Sequence, residues 1–263
     1  MKVIEQSYEI INEPNLLKRI ELCGRVCYKS ESKITEDSAE RFVDMLVNRG
    51  NTSVLEHAQV RIPADLAHSI STRGGWGSEL DLLKGYSAVY RMRGETEDRE
   101  SYSVTNARDF LTLGGTLDEL KELEHYPENF LTVRFITDRG VSHELVRHRS
   151  LSFSQESTRY VNYVSSDIQF VKPAHPMFES KESLEAWKAA CEKSEEAYKH
   201  LVNECNVSPQ EARAVLNNSV KTEIIVSGEI AWWKHMLYLR TTIGAHPQIR
   251  ELMTSLNEEI GLV

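Results

Sequence analysis

A strand that runs directly into a short helix is the feature that most constrains the middle of this chain. Leu131, Val133 and Phe135 alternate with polar residues, which places three apolar side chains on one face of a strand. Gly140 then opens a short helix that ends near Arg147. Because both elements need a core to pack against, the segment that follows is a loop held by fixed structure, and such loops commonly carry binding or catalytic residues.

The loop after this helix concentrates cations and hydroxyl groups. It contains Arg147, His148 and Arg149 and, after seven further residues, Ser157 and then Arg159. Arginine stays charged at neutral pH and presents a planar fork of N–H donors that matches phosphate oxygens, while serine hydroxyls can hold further oxygens. A cluster of arginines is usually a solvated surface. Its position beside two core elements favours a site for nucleotide phosphates.

Composition excludes several classes of protein. A chain of 263 residues with 40% hydrophobic content can bury a large core, and we expect a single domain over residues 1–263. The net charge of -9 argues against a nucleic-acid-binding protein, because such a protein needs a basic face. The chain shows no signal-peptide pattern and no apolar run long enough to span a membrane, so we expect a cytoplasmic protein without a membrane partner.

The sequence predicts no metal site and no common nucleotide motif. His143 and Glu144 resemble the start of a zinc-protease motif, but His148 comes five residues after His143, and the motif needs four. No G-x-G-x-x-G or P-loop pattern occurs. The cysteines form no C-x-x-C pair and are expected to be buried thiols. They are Cys23, Cys27, Cys191 and Cys205.

An alternating run over residues 54–62 predicts another strand, which Pro63 ends. Its apolar residues share one face, and His57, Gln59 and Arg61 share the other. This pattern would leave a polar strand face with His57 open to a ligand. The alternative is that His57 is simply solvated.

Residues 64–127 give weaker patterns, which predict an elaborated connection with its own short helices and a strand near residues 102–104. No chemistry can be assigned to this segment. After the central loop, caps and periodicity predict alternating strands and helices. These are a strand from Asp167 to Val171, a helix capped by Ser183, a helix starting at Ser208-Pro209, a strand from Val220 to Val226, and helices from Gly228 to Leu239 and from about His246 to Glu259.

Four blocks of the chain together resemble one enzyme family. The spacing Arg147-His148-Arg149, seven residues, Ser157 is similar to the RHRx7S signature of the flavin-dependent thymidylate synthases. Arg159-Tyr160 continues this match. The other blocks are Leu55-Glu56-His57, Pro209-Gln210-Glu211-Ala212-Arg213, and Leu237-Tyr238-Leu239-Arg240 with His246-Pro247-Gln248. The resemblance covers most of the chain except about residues 64–127, which look like an insertion.

The resemblance implies a fold and an activity. The fold would be α+β, with a small, mostly antiparallel central sheet flanked by helices. The activity would be methylation of dUMP to dTMP, with the carbon from methylenetetrahydrofolate and the reducing equivalents from NADPH through FAD. No metal is expected. The family also implies a homotetramer in which subunits share active sites.

The same resemblance assigns roles to individual residues. FAD would be bound by His57, Gln59, Arg147, His148, Arg149, Ser154, Gln155, Glu229, His235 and His246. dUMP would be bound by Glu144, Arg147, Gln155, Glu156, Ser157, Thr158, Arg159, Arg213 and Arg240, with Arg213 coming from a neighbouring subunit. Arg240 is the expected activating residue, because a cation beside the uracil ring stabilises the negative charge that develops there.

Some positions depart from the family pattern. Ser154-Gln155-Glu156 and the pair Glu229 and His235 stand where some members have other residues, including asparagines. An acid at position 229 would repel a flavin pyrophosphate unless it were paired, so His235 is the better candidate for a cofactor contact. Two alternatives stay open. The chain could be a different flavoenzyme that binds a nucleotide with the same residues, or a non-catalytic nucleotide-binding or regulatory protein that keeps the arginine cluster.

Overall fold

A computed structural model of the chain describes residues 1–73, 94–95, 101–164, 168–174, 178 and 180–263. Parts of two sequence predictions therefore lie outside the described residues. These parts are residues 74–93 and 96–100 of the predicted connection, and Asp167 of the predicted strand.

The helices and strands follow each other in mixed order. The strands are β1 Lys2–Ile4, β2 Ser7–Ile10, β3 Gln59–Pro63, β4 Gly94–Glu95, β5 Ser101–Asn106, β6 Phe130–Asp138, β7 Ser152–Gln155, β8 Gln169–Val171 and β9 Lys221–Glu229. The helices are α1 Leu16–Val26, α2 Ser38–Asn48, α3 Ala64–Arg73, α4 Ala107–Thr112, α5 Leu117–Lys121, α6 Arg139–Leu145, α7 Lys181–Asn203, α8 Pro209–Ala212, α9 Ile230–Arg240 and α10 Pro247–Ile260. Short 3-10 helices cover Glu31–Lys33, Thr52–His57 and Arg213–Val215.

Contacts within the chain divide it into two compact units. The first unit comprises Met1–Ile10, Val26–Lys29 and Val133–Val263, and the second comprises Ile11–Arg25 and Ser30–Thr132. The expectation of one domain over residues 1–263, with an insertion at about 64–127, stays a prediction.

The first unit contains a four-stranded sheet in the order β2-β6-β9-β7. β2 pairs antiparallel with β6, and β7 pairs antiparallel with β9, with Ser152 opposite Ser227 and Gln155 opposite Ile224. Strand β9, one of the two inner strands, is buried on both faces, which suits its run of Ile224, Ile225 and Val226. Helices α6 and α9 pack on β9, and α10 packs on β2. The predicted α+β class, with an antiparallel sheet flanked by helices, is confirmed.

Helix α7 packs its apolar stripe into a core cluster of the first unit. Trp187, Cys191 and Tyr198 are buried there with Phe170 of β8. The predicted core role of this stripe is confirmed, but the helix begins earlier than predicted, because Ser180 accepts a hydrogen bond from the N–H of Ser183 and caps the helix.

The second unit contains the antiparallel sheet β3-β5-β4. Strand β5 and helices α3, α4 and α5 confirm the short elements predicted between residues 64 and 127, within the part of that segment that the structure describes. The buried residues of the second unit include Phe42, Leu46, Leu55 and Phe110. They form the apolar interior of this unit.

The predicted strand over residues 54–62 is wrong in its first half. Residues 52–57 form a 3-10 helix, and β3 begins only at Gln59. His57 and Gln59 are buried, with the Gln59 amide donating to the carbonyls of Tyr126 and Glu128. Only Arg61 of the expected polar face is exposed. An open polar face around His57 is therefore excluded, and the FAD contacts of His57 and Gln59 stay predictions.

Three other expectations concern membrane spans, metal sites and the four cysteines. No helix among the described residues is long and apolar enough to cross a membrane. In the same part of the chain, no group of three or more His, Cys, Asp or Glu side chains could hold a metal ion. Cys23 and Cys191 are buried as expected, whereas Cys27 is half-buried and Cys205 is exposed.

Candidate active site

Two segments that are distant in the chain meet around a cavity of about 460 Å³ in the first unit, which we call the arginine cavity. The loop after α6 contributes Arg147, His148, Arg149, Ser150 and Leu151. Helix α9 contributes Trp232, His235, Leu239 and Arg240. The cavity therefore combines cationic and aromatic side chains with two aliphatic ones.

Local sequence explains how each segment reaches the cavity. Asp138 caps α6 by accepting a hydrogen bond of 2.7 Å from the N–H of Val141, and α6 ends at Leu145, which leaves the arginines in the following turn. Trp232, His235 and Leu239 recur at positions i, i+3 and i+7 of α9 and so share one face of that helix.

Arg240 is fixed by three hydrogen bonds. Its Nε donates to Nε2 of His148 at 3.0 Å, its Nη1 to Oε2 of Glu144 at 2.6 Å, and its Nη2 to the Glu144 carbonyl at 3.3 Å. An arginine held by a carboxylate and an imidazole has a defined orientation. This arrangement brings the predicted residues Glu144, His148 and Arg240 into direct contact.

His148 is neutral in this environment. Burial lowers its pKa to about 4, and the charges of Arg240, His235 and Arg147 act in the same direction. Since Nε2 accepts from Arg240, the proton of the neutral ring is on Nδ1. The ring also lies edge-on to His235, with centroids 6.4 Å apart.

The remaining cations of the cavity face outward. Arg147 and Arg149 are exposed, and neither forms an ion pair with any residue that the structure describes. Among the residues that the structure describes, Glu144 is the one carboxylate that pairs with Arg240. The surface is thus positive and has an apolar side formed by Leu151 and Trp232. It can bind an anion that carries a flat ring.

A second group of predicted residues lies where β7 ends. Arg213 Nη1 donates to Oγ1 of Thr158 at 3.3 Å, and Arg159 Nε donates to Oε1 of Gln210 at 3.1 Å. Both arginines are exposed. The Arg213–Thr158 contact joins residues of one chain, whereas the family implies an Arg213 from a neighbouring subunit, and that sharing stays a prediction.

Gln155 and Glu156 face inward. Gln155 Nε2 donates to Oγ of Ser142 at 2.8 Å and to Oγ1 of Thr222 at 3.1 Å, which ties the loop to α6 and β9. Glu156 is buried, and so is Ser154, two residues earlier in the chain. Their predicted ligand contacts stay predictions.

Two further predicted residues lie outside the lining of the arginine cavity. Glu229 stands at the junction of β9 and α9, where burial raises its pKa to about 7. His246 caps α10, where its Nδ1 accepts from the N–H of Gln248 at 3.3 Å. His246 borders a separate cavity of about 280 Å³, which Asp138 and Glu144 also line.

Sequence reasoning missed part of this site. Trp232 and Leu239 line the arginine cavity, and their spacing with His235 is the signal that could have identified them. Tyr163 and Lys221 contact Glu156, at 2.8 Å and 2.9 Å. No local pattern points to these two residues, because they are joined to Glu156 only through the fold.

Comparisons with known proteins bear on this arrangement. The family model described as thymidylate synthase complementing protein matches residues 95–263. A flavin-dependent thymidylate synthase of Mycolicibacterium gilvum is 31% identical over 206 residues, covering 72% of this chain and 77% of the relative. One from Mycolicibacterium vanbaalenii is 34% identical over 206 residues, with the same coverage of 72% and 77%.

A solved structure can also be superimposed. It is a UMP/dUMP methylase from Streptomyces cacaoi bound with 5-Br dUMP, with 15% sequence identity and a TM-score of 0.49. The superposition covers 99% of this chain and 92% of that chain.

Proposed function

Because this chain belongs to the family of flavin-dependent thymidylate synthases, we propose that it is an enzyme that methylates dUMP to dTMP with FAD as its cofactor. The family match over residues 95–263 supports this proposal. The carbon would come from methylenetetrahydrofolate and the reducing equivalents from NADPH. A cytoplasmic location and independence of metals are parts of the same proposal.

The observation that carries the proposal is the meeting of the Arg147–Arg149 loop with Arg240 in one cavity. These residues come from two separate blocks that resemble the family. A simple anion-binding surface would need only exposed arginines. Here, one arginine is held by His148 and Glu144, and a fixed orientation of charge is what stabilisation of a transition state requires.

The residues around the arginine cavity fit a flavin dinucleotide. Arg147 and Arg149 are exposed cations suited to a pyrophosphate, and Trp232, Leu151 and Leu239 offer apolar surface to a flat ring. The imidazole of His235 also lines the cavity. When bound, FAD supplies the redox chemistry, and the protein positions and polarises.

Arg240 has donors left for a substrate. A guanidinium carries five N–H groups, and contacts with His148 and Glu144 engage three of them. The other two can reach a uracil carbonyl. A cation held there stabilises the negative charge that develops on the pyrimidine as its ring carbon becomes a nucleophile.

Arg159 and Arg213 are the candidates for the phosphate of dUMP. Both are exposed and lie beside Ser157 and Thr158, whose hydroxyls add donors. Ser157 acts in this proposal as a hydrogen-bond donor, because no hydrogen bond from its hydroxyl to a general base occurs in the described part of the chain.

We also propose the homotetramer with shared active sites. Exposed apolar side chains near the arginine cavity support an interface there. Ile243 is 92% exposed and Tyr238 is 67% exposed, and Val146 and Leu239 are also exposed. Light scattering coupled to size-exclusion chromatography tests this assembly, and an active monomer would overturn it.

Two measurements test the activity. One is the visible spectrum of the purified protein, and the other is tritium release from dUMP that carries tritium on the ring carbon to which the methyl group is transferred. We expect a flavin absorbance band, and tritium release that needs both methylenetetrahydrofolate and NADPH. Bound flavin without tritium release would indicate a different flavoenzyme. Absence of flavin together with nucleotide binding would indicate a non-catalytic binding protein.

A further inference from the structure

Glu156 is the last residue before the polar segment Ser157–Arg159, and its side chain is tightly held. Only 2% of the side chain is exposed. The Tyr163 hydroxyl donates to Oε1 at 2.8 Å, and Lys221 Nζ donates to Oε2 at 2.9 Å. Each carboxylate oxygen therefore has its own donor within the first unit.

The main chain around Glu156 is fixed as well. Its N–H donates to the carbonyl of Glu223 at 2.8 Å, which continues the β7–β9 pairing by one residue. Its carbonyl accepts from Nη1 of Arg139 at 3.3 Å. The next N–H, that of Ser157, donates to the carbonyl of Cys27 at 3.0 Å. The chain is thus anchored up to the point where the polar segment begins.

Lys221 connects this carboxylate to a second buried acid. Its ammonium also contacts Glu223, which in turn accepts hydrogen bonds from Lys29, at 2.7 Å, and from Arg134. Burial alone would raise the pKa of Glu223, but the hydrogen bonds from Lys221 and Lys29, with Arg134, hold it at about 2. Glu223 therefore stays charged at neutral pH and keeps the Lys221 ammonium in place.

The Tyr163 hydroxyl likewise remains a hydrogen-bond donor at neutral pH. Burial, reinforced by the charge of Glu156, raises the pKa of Tyr163, so its hydroxyl keeps its proton and donates it to the carboxylate. A second tyrosine, Tyr198, packs edge-on against this ring at a centroid distance of 6.1 Å.

A buried network of charges is an expensive way to stabilise a fold, because apolar side chains of similar volume often give equal or greater stability. What such a network supplies is a single geometry, since each of its members restricts the others. The geometry fixed here is that of Ser157–Arg159, whose side chains contact Arg213 and Gln210.

We propose that Tyr163 and Lys221 are positioning residues for the nucleotide substrate, because by clamping Glu156 they set the position of Ser157–Arg159, which holds the phosphate of dUMP. The identity of the nucleotide rests on the proposed function, whereas the clamp itself does not. In this proposal Glu156 acts through its neighbours in the chain, in place of the direct contact with dUMP that the family resemblance implies.

Tyr163→Phe and Lys221→Met each remove one donor to Glu156, and Lys221→Arg restores a cation. Tyr8→Phe is a matched control, since the Tyr8 hydroxyl also donates to a carboxylate at 2.8 Å, that of Glu259, on the same unit. Two measurements apply to the full-length protein. Hydrogen exchange of a peptide covering residues 154–160 reports on the loop, and steady-state kinetics give KM for dUMP and kcat.

We expect Tyr163→Phe and Lys221→Met to speed exchange in this peptide and to raise KM for dUMP by about tenfold, because a displaced Ser157–Arg159 segment loses a hydrogen bond to the charged phosphate. The value of kcat and the flavin absorbance should stay near those of the wild type. Lys221→Arg should recover most of the affinity, and Tyr8→Phe should change neither measurement.

Unchanged exchange and unchanged KM in both variants would overturn the clamp. Faster exchange spread evenly over the peptides of the first unit would overturn it as well, because the residues would then serve stability only. A wild-type protein that fails to bind dUMP would instead reject the proposed function, and the exchange data would still decide whether the clamp exists.

Discussion

Arg240 and His148 lie 92 positions apart in the chain and share a hydrogen bond of 3.0 Å from Nε to Nε2. Because the pKa of His148 is lowered to about 4, the ring stays an acceptor throughout the neutral range. Two sequence blocks that resemble the same family thus meet at one defined contact. It makes Arg240 a fixed cation and not a mobile surface side chain.

Two replacements of Arg240 distinguish the role of its positive charge from the role of its planar set of N–H donors. Lysine keeps the charge but lacks the planar fork whose separate N–H groups donate to His148 and Glu144 in fixed directions. We expect Arg240→Ala to lower kcat for tritium release by at least about a hundredfold, and Arg240→Lys to recover only part of this loss. Lys234→Ala, an exposed change on the same helix, serves as the control. Near-normal turnover by Arg240→Ala would contradict the assigned role.

Ser157→Ala tests whether the serine is a donor or a nucleophile. A donor to the nucleotide contributes binding, so we expect KM for dUMP to rise by up to about tenfold while synthesis stays measurable. A nucleophile is indispensable, so its loss would abolish synthesis with dUMP binding intact. Steady-state kinetics together with a dUMP binding measurement distinguish the two results.

Two buried histidines predict a pH-dependent stability. Burial, with repulsion from Arg19, lowers the pKa of His57 and of His125 from 6.5 to about 3. Below pH 6.5 the unfolded chain binds protons that the folded chain does not, so the stability is fully present above that pH and is lost as the pH falls. For each pH unit below 6.5, each histidine should lower the free energy of unfolding by about 1.4 kcal/mol.

Urea unfolding at several pH values between about 5 and 7 measures this dependence. His125→Asn should make the slope of unfolding free energy against pH shallower, because only His57 of the pair then titrates. An identical slope in the variant and the wild type would show that His125 is not held neutral by the fold.

Glu229 predicts a pH-dependent affinity for FAD. Its pKa is raised to about 7 by burial, so it is largely neutral below that pH and charged above it. If it lies near the flavin phosphates, as the family resemblance implies, its charge repels them and FAD affinity falls as the pH rises from about 6 to 8. FAD titrations should show no such fall in Glu229→Gln. The same fall in both proteins would remove Glu229 from the cofactor site.

Local sequence patterns identified the main parts of the site. The alternation in β6 and the short helix predicted from Gly140 placed Arg147, His148 and Arg149 after fixed structure. Such signals depend on residues within about one or two turns of each other. They are therefore visible without the fold. Arg240 lies one residue beyond the helix predicted from Gly228 to Leu239 and was identified through the family resemblance.

Contacts between distant residues left no such signal. The pairing of Glu156 with Lys221 spans 65 positions, and nothing near either residue indicates it. Alternation around His57 suggested an exposed polar face, but the local pattern does not register that residues 52–57 coil into a buried 3-10 helix. Burial of a polar residue depends on partners that only the tertiary structure supplies.

Transfer of labelled carbon tests the central claim most directly. The flavin-loaded protein is incubated with dUMP, NADPH and methylenetetrahydrofolate that carries a labelled methylene carbon, and the nucleotides are separated and examined by mass spectrometry. We predict that the label appears in the methyl group of dTMP, and that omitting NADPH or replacing Arg240 with alanine prevents it. Unlabelled dUMP as the only nucleotide recovered, from protein that binds both FAD and dUMP, would contradict the assignment as a thymidylate synthase.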